Sequence, residues 1–295
     1  MGVERAAAPQ LVIPTPAAVR RTGLPREWRN PIGIAGAAII ALTILVAVAA
    51  PVLAPTDPTS QAAKRLLAPS LAHLMGTDEL GRDTLSRIIY GARASLQVGV
   101  ISVLLALVIG TSMGIAAGFF RGRVDDVLMR IVDLMFAFPG LVLAIVIAGL
   151  LGPSRTNAMI AIGIVYAPAF ARVIRGSVLT VMNEPYVEAA RLVGSTNWRI
   201  VRRYLLPNIM APLIVLVTVY LSGAVLSEAA LSFLGLGTQP PDPSWGSMLN
   251  AARQYMELAP AMAIFPGAAI MLVVLGFNFL GDGLRDILDP KLRYG

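Results

Sequence analysis

The stretch EPYVEAARLVGSTNWRIVRRYLLPN, residues 184–208, places Glu184, Glu188, Arg191, Arg199, Arg202 and Arg203 between two long apolar segments. Only 14% of the chain is charged, so this polarity is concentrated. Glu184 and Pro185 suit a helix start, because a carboxylate complements the N-terminal dipole and a first-turn proline forfeits no hydrogen bond. Asn183 is the expected N-cap. Gly194 is the expected stop, since glycine enters the left-handed region cheaply. The spacing predicts a helix of about ten residues, roughly 15 Å long. Ser195 or Thr196 would cap a second helix running past Pro207 into the next apolar segment. Val187, Ala189, Ala190 and Val193 give the first helix a small, apolar surface suited to close approach by another protein. An interfacial helix on lipid headgroups explains the arginines equally well, but not the small residues joined to a fixed turn.

Working outward, the chain reads as an all-α membrane protein. It is 56% hydrophobic with a mean hydropathy of +0.73. Crossing a bilayer takes about 20 apolar helical residues. Six spans are expected: Ile32–Ala54, Ala94–Phe120, Leu134–Leu151 beginning upstream near Val127, Thr156–Ala171 extending through Ile174, Tyr204–Ser227, and Leu258–Gly281. Arg172 and Arg175 are expected to snorkel from the end of the fourth. An even count puts both termini on one side. If that side is the cytoplasm, most basic residues fall inside, including Arg20, Arg21, Arg121, Arg123 and all six arginines from Arg172 to Arg203. Outside are Lys64, Arg65, Arg82, Arg87, Arg93, Arg155 and Arg253. The positive-inside rule therefore places residues 184–208 in the cytoplasm. The proline-containing lead lacks a small-residue cleavage pattern and reads as a tail before an uncleaved anchor.

Composition also excludes functions. With no cysteine and one histidine, His73, there is no thiolate or histidine-cluster metal site. The net charge of +7 reads as membrane-facing arginine, with anionic lipid as its partner and no nucleic acid. The two lysines, Lys64 and Lys291, lie outside any Gly-Lys-Ser/Thr sequence, so no P-loop binds ATP here.

Three features remain open on the residues alone. Asp133 follows Arg130 by three positions and can pair with it on one helix face. Glu228 lies near the outer end of the fifth span, where it either lines the mouth of a solute pathway or is a structural carboxylate bonded to an outer loop or neighbouring subunit. Pro139, Pro168 and Pro266 are expected to kink their helices. Residues 235–257 begin as a Gly/Pro turn cluster and continue from Trp245 as a short amphipathic helix.

Glu188-Ala189-Ala190, three residues, Gly194, and Leu206-Pro207 after eleven more resemble the EAA loop of bacterial binding-protein-dependent ABC importers. Tyr204 departs from that pattern, which often has isoleucine. GTDELGRDTLSRIIYGAR (76–93), LSFLGLGTQPPDPSWGSML (231–249) and GDGLRDILDPKLR (281–293) are similar to the C-type permease of dipeptide, oligopeptide and nickel importers. The resemblance implies a six-helix type I importer permease whose coupling helix, carrying Glu188, Ala189, Ala190, Gly194, Leu206 and Pro207, docks on an ATPase. It implies a related second permease forming a heterodimer, two ATPase subunits holding ATP and magnesium, an extracellular or periplasmic solute-binding protein, and no catalytic residue in this chain. It divides the chain into an N-terminal tail (1–31), a first helix with an external segment (32–92), a transmembrane core (93–282) and a C-terminal tail (283–295), in an inner membrane with both termini cytoplasmic. Peptide is the expected solute, nickel or another small solute the alternative. A proton-coupled secondary transporter predicts mid-membrane acids and an inverted repeat, and the sequence shows neither.

Overall fold

Small residues decide how these helices meet. The computed structural model describes residues 30–288, so the expected N-terminal tail lies almost wholly outside the described residues, whereas residues 283–288 of the expected C-terminal tail continue the last helix. The elements in order are α1 (Pro31–Val48), α2 (Ala50–Leu53), α3 (Thr84–Phe120), α4 (Gly122–Phe136), α5 (Gly140–Leu151), α6 (Arg155–Met182), α7 (Pro185–Leu192), α8 (Asn197–Ile200), α9 (Leu206–Phe233), α10 (Trp245–Ala252) and α11 (Ala261–Leu288). Among the described residues there is no β-strand, only an isolated bridge between Thr77 and Asp83.

α3 and α6 form the main packed pair, with α9 against both. A side chain at Gly110 would collide with the Ala167 carbonyl, and a Cβ at Gly114 would stand 2.6 Å from the Ala171 carbonyl oxygen. This four-residue glycine spacing lets the backbones approach where lipid supplies no hydrophobic drive. Phe170, Ile162 and Ile174 fill the seam with essentially no exposed surface. α1 lies on α11 by the same device: a Cβ on Gly33 would stand 2.9 Å from the Gly283 Cα. The two helices are also linked outside their apolar contact by Asn30, whose amide donates to Asp286 at 2.7 Å.

Among the described residues, five helical stretches are long and apolar enough to span a membrane. The expected third span differs from its sequence reading. It is broken into α4 and α5, bent by 94°, so the total reaches six only if the pair counts as one crossing. Pro139 does more than kink a helix, because Ala137–Pro139 lies outside both helices. At about 18 Å, α5 alone is shorter than the hydrocarbon core. α3 begins at Thr84, ten residues before the expected span, and at roughly 56 Å extends well beyond the bilayer core. The division expected at 92/93 thus falls inside a continuous helix. α6 continues to Met182, eight residues past Ile174.

The arginines on α6 do not simply snorkel. Arg175 makes two hydrogen bonds of 2.5 Å to Asp125, and Arg172 donates to Asp133 at 2.5 Å while its guanidinium stacks 4.3 Å from the Phe136 ring centre. Asp133 therefore pairs with Arg172, not with Arg130. The tertiary neighbour offers a better approach than the i−3 residue on its own helix.

The segment between α2 and α3 is polar but ordered. Asp83 caps α3 by accepting from the Ser86 amide at 2.8 Å, and Asp78 accepts from Arg82 at 2.6 Å. Trp245, 2% exposed, donates its indole N–H to the Ile88 carbonyl at 3.1 Å and so seats α10 on α3.

Candidate functional site

α7 is the expected short helix, eight residues and about 12 Å long. Its N-cap is Glu184, one residue later than expected. Asn183 is the C-cap of α6, and its side-chain oxygen accepts from Arg121 at 2.9 Å. Pro185 takes the first helical position. The end matches the expected stop in detail: Gly194 has φ +81°, its N–H bonds Arg191 O at 2.9 Å, and Ser195 N–H bonds Ala190 O at 3.0 Å. These are the two bonds of a Schellman termination, which requires the left-handed residue.

The helix is anchored and exposed on opposite sides, but not with the expected division. Val187 and Ala190 are buried, and Val187 packs in the core with Val181, Met182, Ile200, Leu205 and Ile209. They face their own chain. The outward side carries Glu188 and Ala189, with Leu192 and Val193 more than 80% exposed. Leu192 was not singled out from sequence, although its position, three after Ala189, puts both on one face. Trp198, 70% exposed, extends this apolar surface beyond the turn.

α8 begins with Thr196 as N-cap, its hydroxyl accepting from Arg199 N–H at 3.4 Å. Helical winding then widens to a π turn over Val201–Leu205, with Leu206 N–H reaching back to Val201 O, before α9 begins. Pro207 sits in the first turn of α9, half a turn after the widening. Its missing N–H and its ring would conflict with the carbonyl four residues earlier in a regular helix, so a wider turn relieves that conflict. Leu206 is half-buried and Pro207 exposed. Tyr204 packs on Tyr186 with ring centres 5.9 Å apart, so the position that departs from the family pattern joins α7 to the entry of α9.

Glu228 lies far from α7 and is fully buried. It accepts from Ser95 on α3 at 3.1 Å and from Ser232 at 2.7 Å. Ser232 in turn accepts from the Thr238 amide at 3.0 Å. In this conformation the carboxylate faces no open space and ties α3 and α9 to the loop after α9. The sequence did not disclose Ser95 and Ser232 as its partners, since one lies 133 positions away.

Comparison with known proteins follows these features closely. Residues 106–294 match the family described as binding-protein-dependent transport system inner membrane component, and residues 26–69 match the N-terminal TM domain of oligopeptide transport permease C. The chain is 48% identical over 270 residues to the dipeptide transport system permease protein DppC of Alkalihalophilus pseudofirmus, covering 90% of this chain and 88% of the relative. It is 45% identical to the di/tripeptide transport system permease protein DppC of Pseudomonas aeruginosa, over 98% of this chain and 96% of that one. It is also 45% identical to the glutathione transport system permease protein GsiD of Pectobacterium atrosepticum, over 91% and 90%. Among solved structures, a chain of the MetNI methionine ABC transporter in an inward-facing form aligns with TM-score 0.58 at 19% identity, covering 70% of this chain and 97% of that one.

Proposed function

Because the chain belongs to the family of binding-protein-dependent transport system inner membrane components and has the type I ABC importer permease fold, we propose that it forms half of a translocation pathway for dipeptides or oligopeptides. A related permease would supply the other half. Two ATPase subunits would bind ATP and magnesium, and a solute-binding protein would deliver the peptide at the outer face. Two of the relatives cited above are named for dipeptides or di/tripeptides and one for glutathione, itself a peptide, which favours peptide over nickel.

The observation that carries this reading is the construction of α7. Its exposed edge of Glu188, Ala189, Leu192 and Val193 is an unpaired surface, while Val187 packs it against the end of α6 and the start of α9. A partner that pushes α7 therefore pushes two long helices. The π turn at Val201–Leu205 sits where α7's motion would enter α9, a place where a mid-helix change of winding acts as a hinge. Both termini and α7 would be cytoplasmic, in line with the positive-inside distribution.

Two measurements test this. Radiolabelled dipeptide uptake by the reconstituted importer should require ATP, the binding protein and all membrane subunits, and a nickel-only substrate profile would overturn the peptide reading. Single cysteines at Ser60, Met256 and Asn197 need no background removal in a chain that lacks cysteine. A membrane-impermeant thiol reagent on intact cells should modify positions 60 and 256, and position 197 only after permeabilisation. Labelling of 197 in intact cells would invert the topology and remove the ATPase-docking role of α7.

A further inference from the structure

A cleft of about 580 Å³ opens between α3, the start of α6 and the loop after α9. Its lining includes Gln97, Arg155, Thr156, Thr238 and Asp242. Two donors in it lack a partner. Thr238 is 3% exposed, yet its hydroxyl makes no hydrogen bond, and the Arg155 Nε is buried and unpaired. Leaving buried polar groups unsatisfied costs free energy, and doing so twice on one cleft wall marks a surface built for an absent acceptor. A third source of positive potential lies beside them. Arg155 and Thr156 occupy the first turn of α6, whose N–H groups have no intrahelical acceptor, while the Ser154 hydroxyl already serves Asn157.

We propose that this cleft binds the C-terminal carboxylate of a peptide in transit, held by Arg155, the Thr238 hydroxyl and the first-turn N–H groups of α6. Arg155 engages Asp242 at 2.7 Å through Nη2 only, so its Nη1 is left for a second carboxylate. Asp242 uses one oxygen in that pair, leaving the other for the ammonium end of the same short peptide. The cleft thus suits a small zwitterion and disfavours a bare anion, which Asp242 would repel. Glu228 acts here as a positioning residue. Through Ser232 it fixes the Thr238 backbone, and Gly237 must be glycine for the loop to pass Ser232 so closely.

This inference rests on the peptide-importer reading, and the experiment separates the two. The assembled permease–ATPase complex is placed in nanodiscs without binding protein, with Gln97→Cys as the only thiol of this chain. N-ethylmaleimide modification of that thiol is followed by mass spectrometry against dialanine or dialanine amide. Dialanine should protect the thiol and its amide should not. In R155Q and in T238V the half-protecting dialanine concentration should rise about tenfold or more, the scale expected for losing a hydrogen bond to a charged group. D242N, which breaks the same ion pair but keeps the arginine, should retain the preference for acid over amide. Equal protection by acid and amide, or protection unchanged in R155Q and T238V, overturns the site. So does loss of acid preference in D242N equal to that in R155Q, since the effect would then belong to the ion pair alone. A modification rate that changes only when phosphatidylglycerol replaces phosphatidylcholine would assign the cleft to lipid phosphate and also overturn it. Wild-type uptake of dialanine without protection sinks the site alone, whereas a wild-type importer that moves no peptide sinks the functional reading itself.

Discussion

Asp125 on α4 and Arg175 on α6 meet through two parallel hydrogen bonds across 50 positions of sequence. The pair is partly exposed, with side-chain accessibilities of 34% for the arginine and 15% for the aspartate, so its stability contribution is of order 0.5–1 kcal/mol. Its larger role is geometric, because it holds the broken α4–α5 segment to the helix that leads into α7. Asp125→Arg should reduce ATP-dependent uptake strongly while the protein still reaches the membrane. The swap Asp125→Arg with Arg175→Asp should restore a substantial part. No recovery in the double variant, with both proteins present in equal amount, would mean that α6 and α4 communicate some other way.

Gly194 offers a graded test of the docking helix. A Cβ there would meet no atom within 4 Å, so the cost of substitution is backbone strain at φ +81° and nothing else. Asparagine tolerates that region best among the alternatives, alanine should cost about 1 kcal/mol, and valine more. Binding-protein-stimulated ATPase activity should fall in the order Asn, Ala, Val. Valine equal to wild type would show that the turn need not be left-handed for coupling.

Glu188→Lys reverses a charge on the exposed edge of α7 without touching its buried face. The variant should insert and resist proteolysis like wild type but lose ATPase association, measured by co-purification. Undiminished co-purification would leave Ala189, Leu192 and Val193 as the docking contacts and remove Glu188 from them.

Replacing Glu228 should act on stability before transport. Glu228→Ala strands the Ser95 and Ser232 hydroxyls in a buried site, at roughly 1–3 kcal/mol for the unsatisfied groups. Glu228→Gln keeps an acceptor and should cost less. Thermal unfolding of the purified complex should rank wild type, Gln and Ala in descending order. A Glu228→Ala variant with wild-type unfolding and lost uptake would instead indicate direct contact with solute.

Glycine substitutions should separate seam from surface. Gly110→Ala drives a methyl into the Ala167 carbonyl and should lower the yield of folded protein, at about 1–3 kcal/mol of overpacking. Gly149→Ala and Gly267→Ala meet nothing within 4 Å and should be tolerated. Equal yields of all three, compared by fluorescence-detected size exclusion, would mean that α3 and α6 can separate without penalty.

The sequence by itself determined the local features. Hydrophobic length marked five of the expected crossings, because burying the backbone in lipid demands long uninterrupted helices. The offsets from Glu188 to Pro207 marked α7 and its glycine stop, because helix termination is decided within four residues. The capping of α10 at Ser244 likewise lay in neighbouring residues. Tertiary structure alone decided what depends on partners distant in the chain. Asp133 had Arg130 nearby yet pairs with Arg172, and Val187 faces the core while Leu192 faces outward. Spacing shows that two residues share a helix face, but which face a neighbouring helix covers is set by the α3–α6–α9 packing. Pro139 marked a kink in the third span, but that it amounts to a 94° break between two helices was hidden for the same reason. Apolar residues flank it on both sides, and hydropathy records the environment of a segment but not its direction.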